Sequence, residues 1–223
     1  MTIDILSLFP SYFDGFISES IIKRAIDNDL VKINIIDFRK YSDDKHHKVD
    51  DTPYGGGAGM VLAVPPIYKA LEDIKTKDSH IILLTPSAKV FKQSDVYRLN
   101  KYKHLILICG RYEGFDERVR ELADEELSIG DFVLTGGEVP AMAISDAVIR
   151  SIKGVINEES FINDSFTENS LDYPVYTKPQ SFMGMDVPDV LISGDHAKIA
   201  TWRKEAAYKK TKEIRPDLGG KDV

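Results

Sequence analysis

The chain has few of the residues that mark several common kinds of site. Its 223 residues include one cysteine, Cys109, which excludes an internal disulfide and a thiolate cluster for zinc. The phosphate-binding patterns G-x-G-x-x-G and G-x-x-x-x-G-K-[ST] do not occur, which disfavours a ligand anchored by its phosphates. No apolar run approaches membrane-spanning length, and residues 3–9 lack the flanks of a signal peptide. We therefore expect a soluble, cytoplasmic, globular protein with no membrane partner.

Basic residues are outnumbered by acidic ones, with 29 Lys and Arg against 36 Asp and Glu. The net charge of −7 argues against a uniformly basic nucleic-acid coat, and we expect no DNA partner. The charge is uneven, however, because residues 195–223 carry eight Lys and Arg against five Asp and Glu, or +3, which leaves −10 for residues 1–194. Lys204 and Lys209 lie in this segment beside Trp202 and Tyr208, a mixture that can contact phosphates and bases. The alternative interpretation is that these side chains form an ordinary solvent-exposed helix face with no nucleic-acid partner.

Apolar runs alternate along the chain with helical patterns. Runs rich in Ile, Val and Leu predict buried strands at residues 3–9, 31–38, 81–84, 105–109 and 132–134. Apolar residues at three- and four-residue spacing predict helices at residues 18–29, 65–74, 93–101, 115–123 and 138–153. Ser94 and Asp116 are candidate helix caps. The alternation predicts an α/β fold with a parallel sheet flanked by helices.

The sequence divides into three parts. Residues 1–156 hold the sheet, residues 157–171 are polar and aperiodic as in a linker, and residues 172–223 form a small helical C-terminal domain. Its main helix is predicted from Gly194-Asp195 to about Lys210. A single helix cannot bury a core alone, so it must dock on the sheet domain or on a second subunit. Dimerisation is therefore expected.

Two glycine-rich turns follow predicted strands. The first spans residues 109–114, the second spans residues 128–140, and Thr85-Pro86-Ser87 follows a third strand. Ligands gather beyond the carboxyl ends of parallel strands, where glycine lets backbone groups approach closely. The three loops predict one pocket for a nucleoside-like cofactor, although such turns can also be purely structural.

A charged loop and the linker hold further candidate residues. In loop 43–60 the consecutive His46 and His47 lack the spacing of a helical metal site, so we interpret the loop as an active-site lid or a plain solvated loop. In the linker, Asp164 precedes Ser165 and Phe166 and could place a carboxylate over a pocket. Without such a pocket, Asp164 is an ordinary linker acid.

Several longer motifs occur in a fixed order along nearly the whole chain. They are Ser7-Leu8-Phe9-Pro10, residues 49–57, Cys109-Gly110-Arg111-Tyr112-Glu113-Gly114, Ser128-Ile129-Gly130-Asp131, Gly136-Gly137-Glu138, Asp164-Ser165-Phe166 and Ser193-Gly194. With these motifs the chain resembles the bacterial tRNA (guanine-N1)-methyltransferases of the knotted SPOUT class. The resemblance implies a deep trefoil knot near residues 81–145 and a homodimer whose active site spans two subunits. It implies methyl transfer from S-adenosyl-L-methionine to N1 of the guanosine 3′ to the anticodon of tRNA.

The resemblance also implies roles for individual residues. The implied cofactor-binding residues are Leu84, Thr85, Pro86, Gly110, Ile129, Gly130, Leu134, Gly136, Gly137 and Pro140. Asp164 matches the general base, Arg150 the assisting arginine and Glu113 a carboxylate that supports methyl transfer. Substrate contacts are expected from His46, Asp50, Ser165, Lys204 and Lys209. The family also implies dependence on Mg²⁺, for which the sequence identifies no ligands.

The chemistry explains these residue types. Guanine N1 carries a proton at neutral pH and becomes nucleophilic as a base such as Asp164 removes it. Negative charge then spreads onto O6, where the guanidinium of Arg150 can stabilise it. One departure is Lys178, which stands where the family usually has arginine and cannot make a bidentate contact.

Two other functions are open to a chain of this kind. One is a ribose 2′-O-methyltransferase of the same knotted class, which would not need a base placed over the nucleobase. The other is an RNA-binding protein that has lost catalysis, which predicts a degraded pocket. Gly110, Gly136 and Gly137, together with Arg150 and Asp164, are all intact, which disfavours that second alternative.

Overall fold

The computed structural model describes residues 1–157, 165–166 and 170–218 of the protein. The chain divides into two compact units, Met1–Ile156 and Asn157–Val223. The strands of the first unit are Thr2–Ser7 (β1), Lys32–Asp37 (β2), Asp50–Asp51 (β3), Val61–Leu62 (β4), Ser79–Val90 (β5), His104–Cys109 (β6) and Glu125–Ser128 (β7). Its α-helices are Asp14–Ser18 (α1), Ser20–Asp27 (α2), Val64–Ile74 (α3), Gln93–Leu99 (α4) and Glu138–Arg150 (α5).

The second unit is small. Its described elements are Ser181–Phe182 (β8), Met185–Asp186 (β9), Asp189–Ile192 (α6) and His196–Ile214 (α7). The Asp195 carboxylate caps α7 by accepting a hydrogen bond from the Lys198 amide at 3.1 Å, as the sequence predicts. Among the described residues, no helix combines the length and the apolar character that a membrane crossing requires.

The first unit is built on a parallel sheet with the strand order β2-β1-β6-β5-β7. Strand β6 lies at its centre, with Leu107 opposite Ile5 of β1 and Ile82 of β5, and all six of its residues are buried. Such burial on both faces explains why the strand is apolar from Leu105 to Cys109. The predicted α/β fold with a parallel sheet between helices is confirmed.

Two apolar clusters cover the two faces of the sheet. One contains Ile22 of α2 and Ile144 of α5, and the other contains Ile67 and Leu71 of α3. Each fully buried side chain of this size stabilises the fold by roughly 1.5–3 kcal/mol relative to an exposed one. The clusters therefore fix the helices, and with them the loops at the carboxyl edge of the sheet.

Two secondary-structure predictions are wrong. Residues 132–134 do not form a strand; they are exposed, and the last strand of the sheet is β7. Periodicity could not identify β7 because it begins with Glu125 and Glu126, whose charges are offset by ion pairs to Arg98 and Arg120. An apolar run of three residues was thus mistaken for the strand.

The helix predicted at residues 115–123 is instead a 3₁₀ helix, Glu117–Leu122. Asp116 still caps it, by accepting a hydrogen bond from the Arg118 amide at 2.9 Å. Ser94 does not cap α4; Asp95 accepts a hydrogen bond from the Lys92 amide at 3.0 Å instead. The prediction of Asp116 as a cap is therefore confirmed, and that of Ser94 is wrong, because Lys92 precedes α4 and the accepting carboxylate lies in the first turn of the helix.

Candidate functional site

A cavity of about 460 Å³ lies where β5, β6 and β7 end. Nine of the ten predicted cofactor residues line it: Leu84, Thr85, Pro86, Gly110, Ile129, Leu134, Gly136, Gly137 and Pro140. Gly130 is not among the lining residues, but its amide donates a hydrogen bond to Ser128 Oγ at 3.2 Å, which fixes the turn beside Ile129. The size of the cavity suits a small-molecule ligand.

The first wall of the cavity comes from an irregularity in β5. Both Leu84 and Lys89 pair with Leu127 of β7, so the residues between them are displaced from the regular ladder. Thr85, Pro86 and Ser87 lie in this displaced segment and line the cavity. The bulge therefore places backbone polar groups at the carboxyl edge, where a ligand can reach them.

The two glycine-rich turns meet at Gly137. Its amide donates a hydrogen bond to the Gly110 carbonyl at 2.9 Å. A Cβ atom at position 137 would lie 2.6 Å from Cys109 Cα and 2.8 Å from Gly110 N, too close for any side chain. Glycine is therefore required here by the contact between the turns, and that contact closes one side of the cavity.

Sequence reasoning missed Arg111, which also lines the cavity. Its Nη2 atom lies 2.9 Å from Oε2 of the buried Glu138, and its Nη1 donates a hydrogen bond to the Thr135 carbonyl at 3.2 Å. Ser7 Oγ donates a hydrogen bond to Glu138 Oε1 at 2.8 Å. The signals in the sequence were a serine in an apolar strand and a glutamate directly after two glycines, but neither identifies its partner.

The rim of the cavity is apolar and exposed. Phe132, Val133 and Leu134 have relative exposures of 52%, 83% and 39%, and Tyr112 is 55% exposed. Exposed apolar side chains next to one another are characteristic of binding surfaces. The segment that was wrongly predicted as a strand is thus part of the candidate site.

Among the three predicted catalytic residues, Glu113 lines the cavity. Its amide donates a hydrogen bond to the Met60 carbonyl at 3.0 Å, and its side chain packs against Gly59. Arg150 does not line the cavity. It ends α5 while Gly137 precedes the start of that helix, so at 1.5 Å per residue the helix separates them by roughly 20 Å. Asp164 lies outside the described residues.

The two predicted substrate residues of loop 43–60 have different surroundings. Asp50 is half-buried in β3, which pairs with β4, and the Leu62 amide of β4 donates a hydrogen bond to the Gly114 carbonyl at 2.9 Å. Asp50 is therefore connected through backbone to the turn that carries Glu113. His46 is exposed, and its amide donates a hydrogen bond to Asp44 Oδ1 at 2.8 Å.

The second unit holds the other predicted substrate residues. Lys204 and Lys209 are exposed on α7, and Ser165 Oγ donates a hydrogen bond to Asp172 Oδ1 at 3.0 Å. This unit has its own cavity of about 460 Å³, whose lining includes Lys178 and Arg203 and, within the part of the chain that is described, no carboxylate. The remaining lining residues are Tyr173, Pro174, Val175, Tyr176, Thr177, Gln180, Val187, Leu191, Ile192 and Ile199.

The described residues do not form a metal centre. Across residues 1–157, 165–166 and 170–218, no group of three or more His, Cys, Asp or Glu side chains could hold a metal ion. We therefore assign no Mg²⁺ ligands among the described residues. Cys109 is fully buried at the end of β6, and this burial raises the pKa of its thiol well above the ordinary value. Cys109 therefore packs as a small buried apolar residue.

Comparisons with known proteins agree with this geometry. Residues 1–221 match the family model described as tRNA (Guanine-1)-methyltransferase TrmD. The chain is 55% identical over 219 residues to the tRNA (guanine-N(1)-)-methyltransferase of Mycoplasmopsis agalactiae, a match that covers 98% of this chain and 96% of that protein. Proteins of the same name from Acholeplasma laidlawii and Staphylococcus carnosus are 53% and 50% identical, each over 98% of this chain and 90% of the relative.

Proposed function

The chain belongs to the tRNA (guanine-1)-methyltransferase family, and we propose that it transfers a methyl group from S-adenosyl-L-methionine to N1 of the guanosine 3′ to the anticodon of tRNA. The observation that carries the proposal is the cavity between the glycine-rich turns, whose lining contains nine of the ten cofactor residues that the family resemblance implies. Identities of 50–55% over 98% of the chain support the same activity.

The lining residues fit the proposed cofactor. Gly110 and Gly137 expose backbone groups at a point where a side chain would not fit. This arrangement suits a nucleoside that is recognised through backbone amides and carbonyls. Leu84, Leu134 and Pro140 provide apolar contacts for an adenine ring. S-Adenosyl-L-methionine supplies a methyl group on a sulfonium, and the cavity would hold that group in line with the acceptor nitrogen.

Two residues are proposed to act on the guanine. Asp164 removes the N1 proton, which makes the ring nitrogen nucleophilic. Arg150 stabilises the negative charge that moves onto O6. Glu113 lies at the cavity itself, where its carboxylate can orient the reacting groups. The target base must leave its stack to reach these residues.

We propose that the active site is completed by a second subunit. In one chain, Arg150 lies at the opposite end of α5 from Gly137, roughly 20 Å away along the helix. A group at that distance cannot act on a base bound beside Gly137, whereas the same residue of a partner can. The exposed apolar segment of Phe132 and Val133 offers a surface for such a partner.

The second unit is proposed to bind the tRNA. Lys204 and Lys209 are exposed on α7, and the cavity of this unit combines Lys178 and Arg203 with aromatic side chains. Cationic side chains bind phosphates, and aromatic side chains stack against unpaired bases. A tRNA substrate also implies a cytoplasmic location. The trefoil knot that the family resemblance implies remains a prediction.

The test is incorporation of labelled methyl from S-adenosyl-L-methionine into an unmodified tRNA transcript. We expect incorporation when guanosine is 3′ to the anticodon and none when adenosine replaces it. Equal incorporation into both transcripts would refute the proposed target, and no incorporation into either would refute methyl transfer to this tRNA.

A further inference from the structure

A fully buried carboxylate stands behind the cavity. Glu138 has 0% relative exposure and is the first residue of α5. Glutamate is almost never fully buried unless it is paired, and here Oε1 accepts a hydrogen bond from Ser7 Oγ at 2.8 Å while Oε2 lies 2.9 Å from Arg111 Nη2. Ser7 is also 0% exposed and accepts a hydrogen bond from the Phe9 amide at 3.0 Å.

A contribution to stability does not by itself explain why these buried polar groups are present. Burying an ion pair removes two charges from water, and apolar residues of similar volume are often as stable or more stable. The pair is also incompletely satisfied, because Arg111 Nε is buried and has no hydrogen-bond acceptor among the residues that the structure describes. A buried donor without an acceptor is destabilising. The network is therefore better explained by what it positions.

The network joins three segments, of which the two glycine-rich turns line the cavity. Arg111 belongs to the first glycine-rich turn, Glu138 to the second, and Ser7 ends β1. The Arg111 guanidinium carbon lies 4.5 Å from the centre of the Phe9 ring, so the side chain is held between that ring and the second turn.

The fit between the Arg111 side chain and the second turn is close. A Cβ atom on Gly136 would overlap Arg111 Nε and lie 2.5 Å from Glu138 Oε2. The arginine thus fills the space directly under Gly136 and also contacts the Thr135 carbonyl. The Arg111 side chain is thus in direct contact with the backbone that lines the cavity.

We propose that Glu138 and Ser7 are positioning residues for the cofactor site, acting through Arg111 to fix the separation of the two glycine-rich turns. The inference rests on the proposed function, since it takes the cavity as the site of S-adenosyl-L-methionine. It gives a functional role to Glu138 and Ser7, although neither residue lines the cavity. It also explains why a charged pair is retained in a place where apolar residues would pack.

The test separates positioning from stability with a double variant. We compare Glu138→Gln, Arg111→Met and the combined double variant with the parent. Calorimetry measures binding of S-adenosylhomocysteine, and thermal unfolding measures stability. Each single variant leaves one group buried without its partner, so both should lower the melting temperature. Each should also weaken binding roughly tenfold to a hundredfold, because the turns lose their spacing.

The double variant decides the question. With both charges removed, the melting temperature should recover, while binding of S-adenosylhomocysteine stays weak and the KM for S-adenosyl-L-methionine rises more than kcat falls. Recovery of binding together with stability would overturn the inference, because the network would then be only structural. Binding by the single variants within twofold of the parent would overturn it as well.

A matched control uses a charge pair away from the cavity. Arg98 Nη2 lies 2.8 Å from Glu125 Oε2, and neither residue lines the cavity. The Arg98→Met and Glu125→Gln variants should lose stability and keep the parent's affinity for S-adenosylhomocysteine. If the parent itself does not bind this probe, the proposed function fails, and the inference that rests on it fails with it.

Discussion

Gly137 lies at the contact between the two glycine-rich turns, where there is no room for a side chain. In a Gly137→Ala variant the new methyl group would meet Cys109 Cα at 2.6 Å and Gly110 N at 2.8 Å, both of them backbone atoms. The two turns must then separate, so we expect binding of S-adenosylhomocysteine to be lost in calorimetry. Gly15→Ala is the control, because nothing lies within 4 Å of that Cβ position. It lies in α1, where alanine should stabilise the fold by up to about 1 kcal/mol. Normal affinity in Gly137→Ala would refute the role of this contact.

Asp164 carries the second prediction at this scale. If it is the general base, Asp164→Ala should lower single-turnover methyl transfer roughly 10²–10⁴-fold, because N1 keeps its proton. Affinity for S-adenosylhomocysteine should change little, since the proposed cofactor residues do not include Asp164. Asp164→Asn should be equally slow, because an amide keeps the shape and cannot accept the proton. Equal rates for variants and parent would exclude Asp164 as the base.

Single residues also show what a sequence can and cannot reveal. Gly110 and Gly137 could be predicted as cavity residues because strand ends and glycine turns are local patterns. The partnership of Ser7 with Glu138 could not, because 131 residues separate them and their meeting depends on the order of strands in the sheet. Arg111 was missed for the same reason, since its role depends on both turns.

Among the elements, the edge formed by α4 and β7 is held by charge. Burial alone would raise the pKa of Asp95, but hydrogen bonds from the Arg98 side chain and the Lys92 amide lower it below its ordinary value. Burial likewise opposes the charge on Glu125, and hydrogen bonds from Arg98 and His80 lower its pKa. Both groups therefore stabilise the fold above the pKa of the unfolded chain, about 4, and lose this contribution as pH falls through the lower folded pKa.

We expect Arg98→Met to lower the free energy of unfolding at pH 7 by about 1–2 kcal/mol, less than for a fully buried pair because the arginine is partly exposed to water. The difference from the parent should shrink as the pH falls from 5 toward 2, since the carboxylates become protonated in both proteins. Urea unfolding at several pH values measures it. If the difference in free energy of unfolding stayed constant down to about pH 2, lost packing rather than lost charge would be its cause.

Helix α7 gives the second prediction at the scale of elements. The variant Lys204→Glu with Lys209→Glu reverses two exposed charges and should weaken tRNA binding at low salt, with a shallower dependence of affinity on salt concentration. The control reverses Lys77 and Lys101, which are exposed in the first unit. Gel-shift titration compares the two variants. Equal affinity for parent and variant would remove α7 from the tRNA interface.

Elements differed in how well the sequence predicted them. The central strand β6 could be located because Leu105 to Cys109 are all apolar, and α7 because Asp195 caps it. The edge strand β7 could not, because its glutamates look polar until their arginine partners are known. The apolar segment 132–134 misled the prediction because its residues are exposed at the cavity rim rather than buried.

At the scale of the whole molecule, the shared active site can be tested by complementation. Glu113→Ala and Arg150→Ala should each be inactive as homodimers, because each removes one group from every site. If the groups come from different subunits, a mixed dimer contains one site with both substitutions and one intact site. Random mixing of equal amounts should then restore about one quarter of the sites. Methyl-transfer assays after co-expression measure it, and no recovery would place both residues in one subunit.

The measurement that tests the central claim most directly is the identity of the methylated atom. The tRNA is methylated with isotopically labelled S-adenosyl-L-methionine, digested to nucleosides and analysed by mass spectrometry against standards. We predict N1-methylguanosine as the labelled product, formed by the parent and absent with Gly137→Ala. A ribose 2′-O-methyl nucleoside would contradict the proposed role of Asp164 as a base for the guanine ring, and tRNA binding without any labelled product would contradict the assignment as a methyltransferase.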